Sequence, residues 1–127
     1  MKIDHIAVWV SDLEKMRMFY EKYFDGISNS KYTNIKKQFE SYFLTFEGGV
    51  RIELMRNRHA PKKEENSSLT GLAHFAFSAG SREEVLSLTE LLRCAGYTIQ
   101  TEPRTTGDGY FESSVLDPEG NLIEITI

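Results

Sequence analysis

The feature that most constrains the fold of this 127-residue chain is an internal repeat. Residues 3–10 form an apolar, strand-like run, and Ser11 follows with a glutamate three residues later, which predicts a capping box at a helix start. The same order returns in the second half, where residues 72–77 lead to Ser81, again with a glutamate three residues later. Apolar residues at helical spacing follow each serine, and the two serines lie 70 residues apart. This repetition predicts two copies of one folding unit.

Each predicted helix is followed by a glycine and by three strand-like runs. Gly26 and Gly96 stand where helix C-cap glycines belong. The runs are roughly 31–35, 39–46 and 50–55 in the first half and 97–101, 110–116 and 121–126 in the second. Each half is therefore predicted to be a βαβββ module of an α+β fold.

The boundaries follow from the same repeat. Module one is predicted at about 1–56, a polar linker at 57–71 and module two at about 72–127. Each module is small, so we expect the two to pack as a single domain spanning 1–127. The expected result is one curved, eight-stranded mixed sheet with a metal-binding cleft.

Composition narrows the class of function. Fifteen basic and nineteen acidic residues give a net charge of −4 and a pI near 5.4, which weighs against nucleic-acid binding and against anionic membranes. The single cysteine, Cys94, excludes an intrachain disulfide and a cysteine-based zinc site, and we predict that it is structural. No apolar run has the length of a membrane span or signal peptide. We expect a cytoplasmic protein with a small-molecule partner.

Four side chains that can bind a metal fall at matched places in the repeat. His5 and His74 open the first strand of each half, and Glu53 and Glu124 lie in the last. Strand alternation places each of the four opposite an apolar face, which we expect the helices to cover. Taken singly, such residues are more often satisfied or solvated polar groups. The matched set instead predicts a shared site for Ni, Zn, Co, Mn or Fe, with open positions for water or substrate. His59, in the linker, has no counterpart in the repeat.

Three residues share a strand face with these ligands at two-residue spacing. They are Trp9, Arg51 and Met55. Trp9 is predicted either to stack on a ligand or to pack in the core. Arg51 is predicted either to hold a carboxylate or phosphate or to pair with a neighbour on the strand.

A Gly-rich connection provides two further candidates. Residues 103–110 are predicted to form a mobile rim that carries Arg104 and Tyr110 to the substrate. A plain loop before a strand is the alternative.

Short motifs run through nearly the whole chain in the order of the modules. They lie at 4–8, 19–22, 52–54, 73–76 and 116–124, and the last contains an Asp-Pro-Glu-Gly turn before the final strand. In these motifs the chain resembles the vicinal oxygen chelate superfamily, which includes glyoxalase I, bleomycin resistance proteins and extradiol dioxygenases. A His/Glu/His/Glu ligand set is most similar to that of glyoxalase I.

The resemblance implies a lactoylglutathione lyase-like enzyme that isomerises a hemithioacetal of a 2-oxoaldehyde by proton transfer. Glu124 would be the base and Glu53 would share its work, with the metal as Lewis acid. Asn57 completes a Glu-Leu-x-x-Asn pattern of the family and is a substrate-contact candidate. Trp9 stands where glutathione-using relatives commonly carry Arg, which weighs against glutathione as the thiol.

The resemblance also implies a homodimer, in which the cleft closes within one chain or across two. Alternative functions are an epimerase, thiol transferase or dioxygenase on the same metal, and a non-catalytic small-molecule binder.

Overall fold

A computed structural model describes residues 4–58, 72–107 and 109–127, which fall into two compact units on either side of 59–71. The first unit contains β1 His5–Trp9, α1 Leu13–Phe24, β2 Ile27–Ser28, β3 Tyr32–Asn34, β4 Phe39–Thr45, a 3-10 turn at Glu47–Gly49 and β5 Arg51–Asn57. The second contains β6 Phe75–Ser78, α2 Arg82–Cys94, β7 Ile99–Thr105, β8 Phe111–Leu116 and β9 Leu122–Thr126. The predicted α+β class with its repeated strand–helix–strands order is confirmed.

The strands of each unit pair into a sheet of their own. The first sheet has the order β1-β5-β4-β2, with β3 also paired to β4, and the second has the order β6-β9-β8-β7. The first strand of each unit runs parallel to the last, and the other pairs are antiparallel. The described residues therefore form nine strands in sheets of five and four, instead of the predicted single sheet of eight. Ile27–Ser28 is the additional strand.

The predicted boundary between module one and the linker shifts by one residue. Strand β5 continues through Asn57, the first residue of the predicted linker, because this residue still pairs with Phe39 of β4. His59 and the rest of the predicted linker up to residue 71 lie outside the described residues.

Helix α1 begins and ends one residue away from its predicted caps. Asp12, rather than Ser11, is the N-cap, and its carboxylate accepts the N–H three residues later at 3.0 Å. Both residue types cap well, and the later start removes the predicted capping box. At the other end Asp25, rather than Gly26, takes the left-handed conformation, with φ 54°. Gly26 permits close packing instead, since a Cβ there would lie 3.1 Å from the Phe46 ring.

Glu14, which would have completed that capping box, links α1 to the sheet instead. Its carboxylate accepts a hydrogen bond from the Tyr42 hydroxyl at 3.1 Å and pairs with Lys31 at 3.0 Å and Arg17 at 3.1 Å. The hydrogen bond from Lys31 is the largest of several effects that together lower the pKa of Glu14 below its ordinary 4.5. Glu14 therefore connects α1 to β4 through a charged side chain.

Helix α2 has the caps that the sequence predicts. The Ser81 hydroxyl accepts the Glu84 N–H at 3.1 Å, and Gly96 ends the helix at φ 87°. The Tyr97 N–H then reaches back to the Leu92 carbonyl at 3.0 Å, as in a Schellman motif.

A buried hydroxyl pair joins α2 to β8. Thr89 and Ser113 are 2% and 1% exposed, and their hydroxyl oxygens lie 2.6 Å apart. Thr89 donates its single hydroxyl proton to the Val85 carbonyl at 2.6 Å. Ser113 must therefore donate to Thr89, which is its buried acceptor.

Strand β7 extends to Thr105, beyond its predicted end. Pro103 and Arg104 therefore lie in a strand, and the predicted rim loop at 103–110 is wrong over its first three residues. Strand β7 is at the sheet edge, and its register shifts between Thr101 and Arg104. An edge bulge tolerates proline because no ladder hydrogen bond is required of it there.

The predicted turn before β9 is present. Asp117 Oδ1 accepts the N–H groups of Glu119 at 2.9 Å and Asn121 at 2.8 Å, and Gly120 has φ 78°. This turn sets the start of β9 and so the position of Glu124 along it.

The buried faces of the last strands agree with the predicted alternation. The apolar neighbours of Glu53 lie on a strand that contacts α1, and those of Glu124 on a strand that contacts α2. They are at most 4% exposed and comprise Ile52, Leu54, Ile123 and Ile125. Full burial of one such side chain contributes about 1.5–3 kcal/mol, so these faces hold each helix to its sheet. Both glutamates point the opposite way.

Candidate metal centre

The same local arrangement of histidine and glutamate occurs in both modules. Parallel pairing places the alanine two residues after His5 opposite Glu53, and the alanine two residues after His74 opposite Glu124. His5 opens β1, whereas His74 directly precedes β6. Each histidine thus lies two residues before the residue that pairs with the glutamate of its own module.

Each histidine lies close to the glutamate of its own module. His5 Nε2 is 3.8 Å from Glu53 Oε2, and His74 Nε2 is 3.2 Å from Glu124 Oε2. The glutamate side chains are 16% and 23% exposed, and the imidazoles 36% and 40%. Among the described residues, neither carboxylate pairs with a lysine or arginine. Such partly buried carboxylates, with imidazole as their neighbour, are suited to neutralisation by a cation.

Asp4 is a functional candidate that the sequence prediction missed. Its Oδ2 accepts a hydrogen bond from His5 Nδ1 at 2.9 Å and another from the Arg51 guanidinium. The bond from His5 is the largest of the effects that lower the pKa of Asp4 below 3.8, and Arg51 adds to it. A histidine that gives its Nδ1–H to a carboxylate keeps the Nε2 lone pair for a metal. The signal in the sequence is an acidic residue directly before the first predicted ligand.

Arg51 forms an ion pair with Asp4, which lies directly before β1, and this agrees with the predicted alternative of a pair with a neighbouring residue. It bonds Asp4, and its guanidinium carbon lies 4.7 Å from the centre of the Phe43 ring. Phe43 also meets the His5 ring edge-on at 5.1 Å. Arg51 therefore helps to hold Asp4 and His5 in place, and a role in binding a substrate anion stays a proposal.

Trp9, Met55 and Asn57 lie on the Glu53 face, beyond it along the sheet. Trp9 pairs in register with Met55, and Asn57 pairs with Phe39. Trp9 is 55% exposed, so its predicted alternative role in core packing is wrong.

Arg104 and Tyr110 lie away from the His74–Glu124 pair in strand order. Arg104 is exposed on the edge strand β7, opposite Glu112 of β8, and Tyr110 is 56% exposed just before β8. No hydrogen bond or ion pair joins either to Glu124 in the part of the chain that the structure describes.

Cys94 is exposed, and a hydrogen bond to Glu90 raises the pKa of its thiol, which makes it a poor nucleophile.

The chemistry of the donors fits a divalent metal. Imidazole nitrogen with carboxylate oxygen suits Ni, Zn, Co, Mn and Fe. Over residues 4–58, 72–107 and 109–127, histidine, cysteine and acidic side chains form no metal-competent group of three or more. The His–Glu pairs are therefore the units of the candidate centre, and their union in a four-ligand site stays a prediction.

The chain belongs to the Glyoxalase/Bleomycin resistance protein/Dioxygenase superfamily, whose family model matches residues 2–125. This confirms the resemblance inferred from the motifs. A curated relative, the uncharacterized protein YqjT of Bacillus subtilis, is 26% identical over 95% of this chain and 94% of its own length.

Solved structures with the same fold include glyoxalases. Glyoxalase I from Zea mays has a TM-score of 0.82 at 23% identity, and this chain covers only 44% of its length. The trypanothione-dependent glyoxalase I of Leishmania major has a TM-score of 0.79 at 20% identity, with 99% of this chain and 86% of that one covered. A glyoxalase/bleomycin resistance/dioxygenase domain from Frankia reaches 0.85 at 19% identity, with 99% and 90% covered. At these identities the likeness shows the fold alone. Within the described residues, no helix is long and apolar enough to cross a membrane.

Proposed function

We propose that this protein is a divalent-metal-dependent lyase of the glyoxalase I type, which isomerises the hemithioacetal of a 2-oxoaldehyde and a thiol. The observation that carries the proposal is the His–Glu pair that occurs twice, at 3.8 Å in module one and 3.2 Å in module two. Each pair stands on the face opposite the helix-covered core and has no cationic partner among the described side chains. A surface ion pair retained for stability alone has little reason to recur at matched positions, since such pairs contribute about 0–1 kcal/mol.

The proposed ligands are His5, Glu53, His74 and Glu124. When bound, the metal supplies a Lewis acid that stabilises negative charge on the substrate oxygens. Asp4 holds the first imidazole in the orientation that presents its Nε2 atom. Because the pairs belong to different modules, either one chain or two chains of a homodimer would supply the full set.

The proton is moved by a carboxylate of this chain. Glu124 takes the proton from C1 of the hemithioacetal and returns it to C2, so the reaction needs no external oxidant or reductant. The oxygen that accepts the proton must come within about 3 Å of it, which a glutamate on the ligand face satisfies if the substrate sits beside the metal. Glu53 is the matched carboxylate of the other module and shares this work.

The test measures turnover of metal-loaded protein with methylglyoxal and a series of low-molecular-weight thiols. Formation of the thioester product is the readout. We expect Glu124→Gln to lower kcat by about 10²–10⁴-fold, the usual contribution of a general base, with the circular dichroism spectrum unchanged. Glu83→Gln is the matched control, because Glu83 is exposed in the first turn of α2.

The outcomes separate the alternatives. Full activity in Glu124→Gln would contradict the choice of base. No turnover with any thiol, in protein that does bind metal, would refute the lyase and leave an epimerase, thiol transferase or dioxygenase. A protein that takes up no divalent metal would be a small-molecule binder.

A further inference from the structure

A group of aromatic side chains lies on the sheet face that carries Glu53. Trp9 meets the Phe39 ring edge-on, with centroids 6.2 Å apart and planes at 86°. Phe39 in turn meets the Tyr32 ring at 6.1 Å and 60°. We call Trp9, Phe39 and Tyr32 the aromatic platform. Phe39 and Tyr32 have no role in the proposed metal site.

The strand register places the platform beside the candidate metal centre. Phe43 pairs with Glu53, so Phe39, four residues away on β4, shares its face. Trp9 pairs with the residue two positions after Glu53 on β5, which is one step of about 7 Å along the strand. Tyr32 extends the row onto β3. The platform thus begins one step from Glu53, the proposed ligand of the same module.

The platform is open at both ends. Trp9 is 55% exposed and Tyr32 is 53% exposed, although buried positions exist on the helix side of the same sheet. Aromatic rings prefer offset or edge-to-face contacts with other rings, and those in the platform already follow that geometry. A planar ring added beside them would remove further apolar surface from water.

The charge around the platform selects the occupant. Its neighbours on the face, among the described residues, are Met55, Ser41, Asn57 and Asn34, none of which is charged. Arg51 stands at the other end of the face, where Asp4 already engages it. The platform therefore offers no cation to a carboxylate-bearing group, and it complements an uncharged ring.

We propose that the aromatic platform holds an uncharged, planar aromatic group of the substrate, which makes an aryl-substituted 2-oxoaldehyde a better substrate than a methyl-substituted one. The inference rests on the proposed function, because it takes Glu53 as part of the reacting end. Binding of the ring is a separate property that can be measured without turnover.

Trp9 is the single tryptophan of the chain and reports on the platform directly. The full-length protein as purified is titrated with mandelamide and with lactamide, which share a polar head and differ in a phenyl or methyl group. We expect mandelamide to change Trp9 fluorescence with saturation, and lactamide to bind at least about threefold more weakly.

Variants of the other two rings test the platform itself. Phe39→Leu and Tyr32→Leu keep apolar bulk and remove the ring, so each is expected to weaken mandelamide binding about threefold to tenfold. Leu91→Ala is the matched control, since Leu91 is an exposed apolar side chain on α2, outside the unit that carries the platform. Its affinity for mandelamide should equal that of the wild type.

Failure of this inference and failure of the lyase give different results. Equal affinity for the two amides, or unchanged affinity in both leucine variants, would overturn the platform and leave the lyase proposal intact. Saturable, ring-dependent mandelamide binding by a protein that turns over no hemithioacetal would support the platform and refute the lyase. In active protein, kcat/KM for phenylglyoxal below that for methylglyoxal would overturn the substrate preference.

Discussion

Replacing Asp4 by asparagine is expected to weaken metal binding although Asp4 is not a proposed ligand. The carboxylate accepts the Nδ1–H of His5 at 2.9 Å, which fixes the ring and leaves Nε2 as the donor. Loss of such a partner commonly lowers metal affinity about 10- to 100-fold. Asp4 is 64% exposed and shared with Arg51, so we expect the low end, about tenfold, for Asp4→Asn.

The affinity is measured by competition for Zn²⁺ or Co²⁺ with a chromophoric chelator. Asp25→Asn is the matched control: it removes one negative charge from the same module, and asparagine tolerates the left-handed φ of 54° at that position. The control separates the effect of net charge from the effect of the hydrogen bond. Equal affinity of Asp4→Asn and Asp25→Asn, while His5→Ala loses the metal, would refute a positioning role for Asp4.

Two further predictions concern stability. Thr89→Val leaves the Ser113 hydroxyl buried without its acceptor and should lower the free energy of unfolding by about 1–3 kcal/mol in urea titrations. Adding Ser113→Ala should regain part of that loss. A double variant whose loss of stability equals the sum of the two single losses would contradict this. The lowered pKa of Glu14 means that its ion pairs stabilise the fold above its ordinary pKa of 4.5, and that this contribution is lost as pH falls through the lower folded-state pKa. Glu14→Gln should therefore show a shallower fall in Tm from about pH 5 downward, and a slope equal to that of the wild type would contradict the assignment.

The repeat made much of the fold and the two His–Glu pairs predictable from the sequence. Nearly equal offsets of 69–71 residues identified two copies of one module, and the two-residue period of a strand placed Glu53 and Glu124 opposite buried faces. The proximity of His5 to Glu53 follows from parallel pairing of first and last strands, which the copies share. Because the same residue types occur at matched positions in both modules, each module supports the prediction made for the other.

Other features were not predictable because the local sequence is compatible with more than one structure. Ser11 and Asp12 are both good caps, so the sequence did not decide which one starts α1. Pro103 predicts a loop by its own propensity, yet an edge strand with a bulge accepts it. The aromatic platform was not visible at all, since its rings come from β1, β3 and β4 and meet only through sheet pairing.

The central claim is that the two His–Glu pairs bind one divalent metal, and cobalt stoichiometry tests it most directly. Equilibrium dialysis against Co²⁺ should give about one tightly bound ion per chain in the wild type, because one His–Glu pair alone is a weak site and four donors are a strong one. His5→Ala and His74→Ala, each in a different module, should both abolish tight binding while the circular dichroism spectrum stays unchanged. Tight binding that survives either substitution, or a wild-type protein that binds no cobalt, would contradict the account.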